Sequence, residues 1–174
     1  MKKIIPLFLL LFFLGVSNAD AEEFSIGMSP SSFIINIEKP SQIEEKILLK
    51  NQSAEKIALE RSIKAFVPSK NPRGGIVFLE DRQLDEKYTQ LFKHTLVFEN
   101  NQIIERVILD AHETKQLDLS IDINEAVPFG EYYFSILFIS KDINNASSSA
   151  TTVWPAVATN IILSYGTKKR KYIF

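Results

Sequence analysis

The sequence predicts an all-β protein, an antiparallel sandwich of two facing sheets with about seven strands. Apolar residues recur with a period of two along most of the chain, as a half-buried strand requires. Clusters of Pro, Gly, Asn and Ser punctuate these runs at short intervals. No long helical pattern is available to cross over between parallel strands.

Taken in order, Phe24, Ile26 and Met28 alternate with Ser25 and Gly27, and Pro30 breaks the run. Phe33, Ile35 and Ile37 continue it on one face, up to a turn at Pro40 and Ser41. Ile43, Ile47 and Leu49 share a face against Glu44, Lys46 and Lys50, and a polar turn follows from Asn51 to Glu55. Ile57, Leu59, Ile63 and Ala65 then line a core face. The stretch 68–102 is less regular. Two prolines and two glycines make Pro68 to Gly75 a loop, Ile76 to Leu79 reads as a short strand, and Leu84 to Phe92 as a short helix. Thr95 to Phe98 is another short strand, Asn100-Asn101 a turn, and Ile103 to Leu109, apolar on both faces, a well-covered strand. Leu117, Leu119, Ile121 and Ile123 alternate more cleanly than any other run. After Pro128-Phe129-Gly130, Tyr132 to Ile139 is apolar on both sides, which predicts a central strand. A polar loop covers Asn144 to Ser149, and Val157, Thr159, Ile161, Leu163 and Tyr165 form the last alternating face. The predicted core is Ile35, Ile47, Leu49, Leu59, Ile63, Leu119, Ile121, Tyr132, Phe134, Ile136 and Ile161. At roughly 1.5–3 kcal/mol per large side chain buried, it supports a domain without disulfides.

Composition narrows the function classes. A length of 174 residues suits one domain. A hydrophobic share of 45% and a charged share of 24% are those of a globular chain. A formal net charge of -1 argues against a general nucleic-acid binder. The absence of cysteine excludes disulfides, thiolate metal sites, thiol nucleophiles and lipoprotein anchoring.

The first segment is an address. Lys2 and Lys3 precede the apolar run Ile4 to Val16, and Ala19 and Ala21 put small residues where a signal peptidase reads. Cleavage is expected after Ala21. The run is too short for a membrane span, which needs roughly 20 residues. The chain divides into a leader (1–21), a sandwich (22–166) and a basic tail (167–174). The product is expected to be exported, to the cell surface or the extracellular space, or to a periplasm if the source has two membranes.

Three pieces carry a family resemblance: Ser29-Pro30-Ser31-Ser32-Phe33; Ile47-Leu48-Leu49-Lys50-Asn51; and Leu117 to Ile123 followed by Val127-Pro128-Phe129-Gly130-Glu131-Tyr132-Tyr133. Together they resemble the immunoglobulin-like N-terminal domain of bacterial WxL-interacting cell-surface proteins and, more distantly, the sandwich domains of pilus chaperones. The resemblance implies an immunoglobulin-like sandwich outside the cell that binds cell-wall polymer or a surface protein. It implies membrane contact only through a C-terminal segment beyond Phe174.

Candidate chemistry is sparse. His94 and His112 lie in or near loops without a nucleophile motif, so no catalytic residue is assigned and the chain is expected not to be an enzyme. Glu80, Asp81, Asp85 and Glu86 lack the spacing of a calcium loop and read as a solvated helix end. The residues Asp142, Asn144 and Asn145 are read the same way, so no metal or other cofactor is expected. Arg61 falls on the apolar face between Leu59 and Ile63. Such a charge requires a carboxylate partner or an escape to water, and its functional alternative is an anchor for a bound peptide's carboxylate. Trp154 is either a binding hot spot or a plug at one end of the sandwich. Lys168, Lys169, Arg170 and Lys171 form a basic tail that suits an anionic polymer or membrane surface, or a solvated terminus. Tyr132, near a strand start, is either a plain core aromatic or a tyrosine corner reaching back to an upstream backbone group.

The expectation is a non-catalytic exported interaction module for cell-wall polymer or a protein partner. The first alternative is a periplasmic chaperone-like protein that binds subunits by strand addition, and the second a secreted hydrolase.

Overall fold

The computed structural model describes residues 25–71, 75–140 and 155–166. Among these residues, eleven strands make two sheets. The first sheet contains β1 (Ile26–Ser29), β3 (Ser41–Asn51), β9 (Thr114–Ile123), β6 (Thr95–Glu99) and β7 (Gln102–Ile103), in that spatial order. The second runs β2 (Ser32–Ile37), β11 (Ala156–Tyr165), β10 (Gly130–Ser140), β4 (Ile57–Pro68) and β5 (Ile76–Phe78). A sixth strand, β8 (Arg106–Leu109), pairs with the first half of β4, on the same side as β5.

Alternation builds the core as the sequence predicts. On β9, Leu117, Leu119, Ile121 and Ile123 are buried while Gln116, Asp118 and Asp122 face water. The strand is held between β3 and β6. From β10, Tyr132, Phe134, Ile136 and Phe138 all point inward at 0% exposure. The outer face of β10 is covered too, with Ser135 and Leu137 buried, because the strand lies between β4 and β11. Of the predicted core, Ile35 and Ile63 are only half-buried, and the rest are buried.

The flanks of the sandwich are closed differently. On one side, β1 pairs with β3 in the first sheet, and only Pro30 and Ser31 separate it from β2 in the second. This single stretch of chain therefore hydrogen-bonds to both layers. On the other side, the helix α1 (Glu86–Lys93) is capped by Asp85, whose side chain accepts from the Lys87 N–H at 3.2 Å. Its buried Tyr88 and Leu91 enter the core. Tyr88 meets Tyr132 edge-on at 5.5 Å, and Phe92 packs on Phe134 at 5.7 Å.

Four expectations change. The sandwich is not wholly antiparallel: β2 pairs with β11 in parallel, Ser32 to Ile37 against Asn160 to Tyr165. More strands form than the seven expected, because the β1–β2 switch and the short edge strands each count separately. Ile103 to Leu109 is not one covered strand. Ile104 N–H donates to Val97 and Arg61 N–H to Glu105, so the chain crosses there from the first sheet to the second, leaving Ile103 and Ile108 57% and 47% exposed. The helix begins two residues later than expected, after a 3₁₀ turn at Asp81–Gln83.

Candidate interaction site

The free edge of β2 is set by its hydrogen bonding. The carbonyls of Ser31 and Ile37 accept from the N–H groups of Asn160 and Gly166, each at 2.9 Å. Peptide groups alternate sides along a strand. Ser32, Ile34 and Asn36 therefore aim both N–H and C=O away from β11. Among the described residues β2 pairs with β11 alone. The side chains alternate as well. Phe33, Ile35 and Ile37 are half-buried against the core, while Ile34 is 51% exposed on the outer face. The edge thus offers unpaired backbone groups beside a partly covered apolar row.

Arg61 does not lie beside this edge, since β10 and β11 separate β4 from β2. Its side chain is 10% exposed on the core face, opposite Phe138. The Nε donates to the Ile104 carbonyl at 3.0 Å, and the terminal nitrogen pairs with the Glu105 carboxylate, which reaches into solvent. The guanidinium is therefore engaged within the chain, where the β7–β8 connection crosses β4. Of the other sequence-stated candidates, Ala19, Ala21, Trp154, Lys168, Lys169, Arg170 and Lys171 lie outside the described residues.

His94 follows α1, with Asp122 at 3.7 Å and the Asn124 amide at 3.4 Å. His112 sits in a turn with φ 58°. In the acidic stretch, Glu80 pairs with Arg82 at 2.7 Å and Asp85 caps α1, so these residues organise a helix start. Among the described residues, no group of three or more His, Asp or Glu is arranged to hold a metal ion. No helix among them is long and apolar enough to cross a membrane.

Two features escape the period-two reading. One is a shallow depression of about 500 Å³ on the outer face of the first sheet. Phe98, Gln42, Glu44, Lys46, Asp118 and Ser120 line it, and the Gln42 amide donates to Glu44 at 3.2 Å and to Ser120 at 3.4 Å. The other is an apolar hairpin: Val67 on β4 and Ile76, Val77 and Phe78 on β5 are 38–50% exposed. No local signal marks either, because each arises where separate strands meet.

The tyrosine corner is present. Tyr132 Oη donates to the Pro128 carbonyl at 2.5 Å, and burial pushes its phenol up to about 12. Asn51, which closes the second of the resemblance-bearing pieces, is 0% exposed. Its amide donates to the carbonyls of Glu55 at 2.7 Å and Asp110 at 2.8 Å, and its oxygen accepts from the Ser53 N–H at 3.0 Å and from the Ser53 hydroxyl.

No protein-family model matches the sequence, and no curated protein matches it. Solved structures do match. A chain of a chaperone–tip adhesin complex of CFA/I fimbriae biogenesis superposes with a TM-score of 0.50 at 14% identity, over 84% of this chain and 58% of that one. The E. coli chaperone DraB gives 0.50 at 12% identity, over 84% and 58%. A family 123 glycoside hydrolase from Clostridium perfringens gives 0.50 at 8% identity, over 81% of this chain and 27% of its own. The chain thus spans less than two thirds of the fimbrial proteins it matches. At these identities the likeness is one of fold: a pilus-chaperone-like, immunoglobulin-like sandwich.

Proposed function

We propose that this chain is an exported, non-catalytic interaction domain that takes a protein partner by strand addition at β2. The observation that carries this reading is the free edge itself. Unpaired N–H and C=O groups at Ser32, Ile34 and Asn36 run beside half-buried Phe33, Ile35 and Ile37. An extended segment with apolar residues at alternate positions satisfies both the backbone and the row. Each hydrogen bond gained contributes about 0.5–1.5 kcal/mol, and the apolar residues extend the core outward. Export rests on the leader pattern at 1–21. The fold shared with fimbrial chaperones supports a protein partner over a small substrate.

Ile34→Pro tests the reading. Residue 34 points its N–H away from β11, so proline removes a donor from the free edge and leaves the β2–β11 ladder intact. The probe is a peptide of about ten alternating valine and threonine residues, added to the secreted chain and followed by amide NMR. Shifts centred on residues 32–37, and abolished by Ile34→Pro in a folded variant, are expected. Shifts centred elsewhere, or binding indifferent to the proline, count against β2.

A second reading, cell-wall polymer, is favoured by the depression on the first sheet. An aromatic ring beside two carboxylates and an amide suits a sugar, whose C–H face stacks while its hydroxyls hydrogen-bond. Phe98→Ala should then release the chain from isolated wall material, and retention of the variant would set this reading aside.

A further inference from the structure

We infer that β5 is a self-complementary edge through which two copies of this chain pair about a twofold axis at Val77. Hydrogen bonding fixes which groups the edge presents. Leu79 N–H donates to the Ala65 carbonyl at 2.9 Å, and Ser69 N–H donates to the Gly75 carbonyl at 2.9 Å. In an antiparallel ladder the bonded positions alternate. Residues 75, 77 and 79 therefore face β4, and Ile76 and Phe78 turn both N–H and C=O outward. Among the described residues, β5 pairs only with β4.

An antiparallel copy on an axis through Val77 sets Ile76 of each chain opposite Phe78 of the other. Both members of each pair have outward backbone groups, so each pair closes two hydrogen bonds. Val77 then meets Val77 at the non-bonded central position. Side-chain faces agree as well, because residues directly opposite each other in such a pair lie on the same face. A shift of one residue loses this match, since it would oppose residues whose backbone groups face β4.

The surroundings favour a second copy over an unrelated strand. The loop ahead of β5 carries exposed Lys70, and the turn after it carries exposed Asp81 beside Glu80, whose charge is balanced by Arg82 at 2.7 Å. Antiparallel pairing brings the basic end of each hairpin toward the acidic end of the other. The edge has neither charge nor proline to repel a neighbour, while Ile76, Val77 and Phe78 are 39%, 50% and 38% exposed. A twofold contact closes on itself, so the hydrophobic edge is used up in a finite dimer. A strand of three residues makes a small interface, so association belongs to the weak class below about 1,200 Å².

The chain has no cysteine, which makes a single engineered thiol diagnostic. Central non-bonded positions bring Cα atoms to about 4.5 Å, within disulfide range. Val77→Cys in the full secreted chain should form an intermolecular disulfide about tenfold faster than Ile108→Cys, an equally exposed control on β8, through its raised effective concentration. Sedimentation of the native chain should show reversible dimer at high concentration, and Val77→Lys, which sets like charges at the axis, should return it to monomer. Equal oxidation rates for the two thiols, or sedimentation that Val77→Lys leaves unchanged, overturns the proposal. Neither readout depends on strand addition at β2.

Discussion

The Tyr132 hydroxyl donates to the carbonyl of Pro128, four residues upstream, and so ties β10 to the turn that leads into it. Removing the hydroxyl by Tyr132→Phe should cost about 0.5–1.5 kcal/mol at neutral pH. The alkaline limb gives a sharper signature. An unfolded phenol titrates near 10, whereas burial holds this one up to about 12. Between those values the unfolded chain has lost a proton that the folded chain keeps, so stability falls as pH rises. The loss begins about a unit below the unfolded value and, discounted for solvent screening, comes to less than roughly 2–3 kcal/mol above both values. Urea titrations across the alkaline range should therefore fall less steeply for Tyr132→Phe than for the native chain. Equal slopes would show that burial does not hold the proton on Tyr132.

Asn51 is fully buried and bonded through both ends of its amide. Asn51→Ala leaves the Glu55 and Asp110 carbonyls without this donor, for an expected loss of about 2–4 kcal/mol from several broken bonds. Asn51→Asp should be at least as harmful, because a carboxylate oxygen would face those two carbonyls. Denaturant midpoints for the two variants check the order.

Gly166 has φ 66°, and a Cβ there would lie 2.1 Å from Phe129 Cδ1. Gly166→Ala should cost about 1–2 kcal/mol for the backbone alone. Displacement of the Phe129 ring from Tyr165, 4.6 Å away, adds to this. Phe129 is 69% exposed, and removing its ring clears the space that the new Cβ would enter. The Phe129→Ala, Gly166→Ala double variant should therefore lose less than the sum of the single changes in thermal unfolding, and strict additivity would contradict the clash.

Arg61 and Glu105 are unequal partners. Arg61 is the buried member, bonded also to the Ile104 carbonyl, whereas Glu105 is mostly solvated. Glu105→Gln should cost less than about 1 kcal/mol. By contrast, Arg61→Ala should cost about 1–3 kcal/mol, through lost stem packing and an abandoned carbonyl. Neither change should weaken peptide binding at β2, and a binding loss in Arg61→Ala would revive the anion-anchor reading.

Much of this was legible in the residues. The core strand β9 announces itself by alternation, β10 by a run apolar on both faces, and Arg61 by its place among apolar neighbours. The parallel pairing of β2 with β11 was not legible, because a period of two is the same for either direction. The split near Ile104 was hidden because an apolar run gives no sign of which sheet it joins. The β2 edge, the depression and the β5 hairpin depend on which strands become neighbours, and that information lies in long-range pairing.

The rungs between β2 and β11 also determine how the fold bears load. The two strands run the same way, one near the start of the sandwich and the other at its end. Tension applied between Ser31, just before β2, and Gly166, just after β11, pulls them lengthwise past each other. All the bonds from Ser32 to Ile37 then resist at once, where a hairpin would peel apart one bond at a time. Under such a load the fold is expected to give way in a single abrupt step.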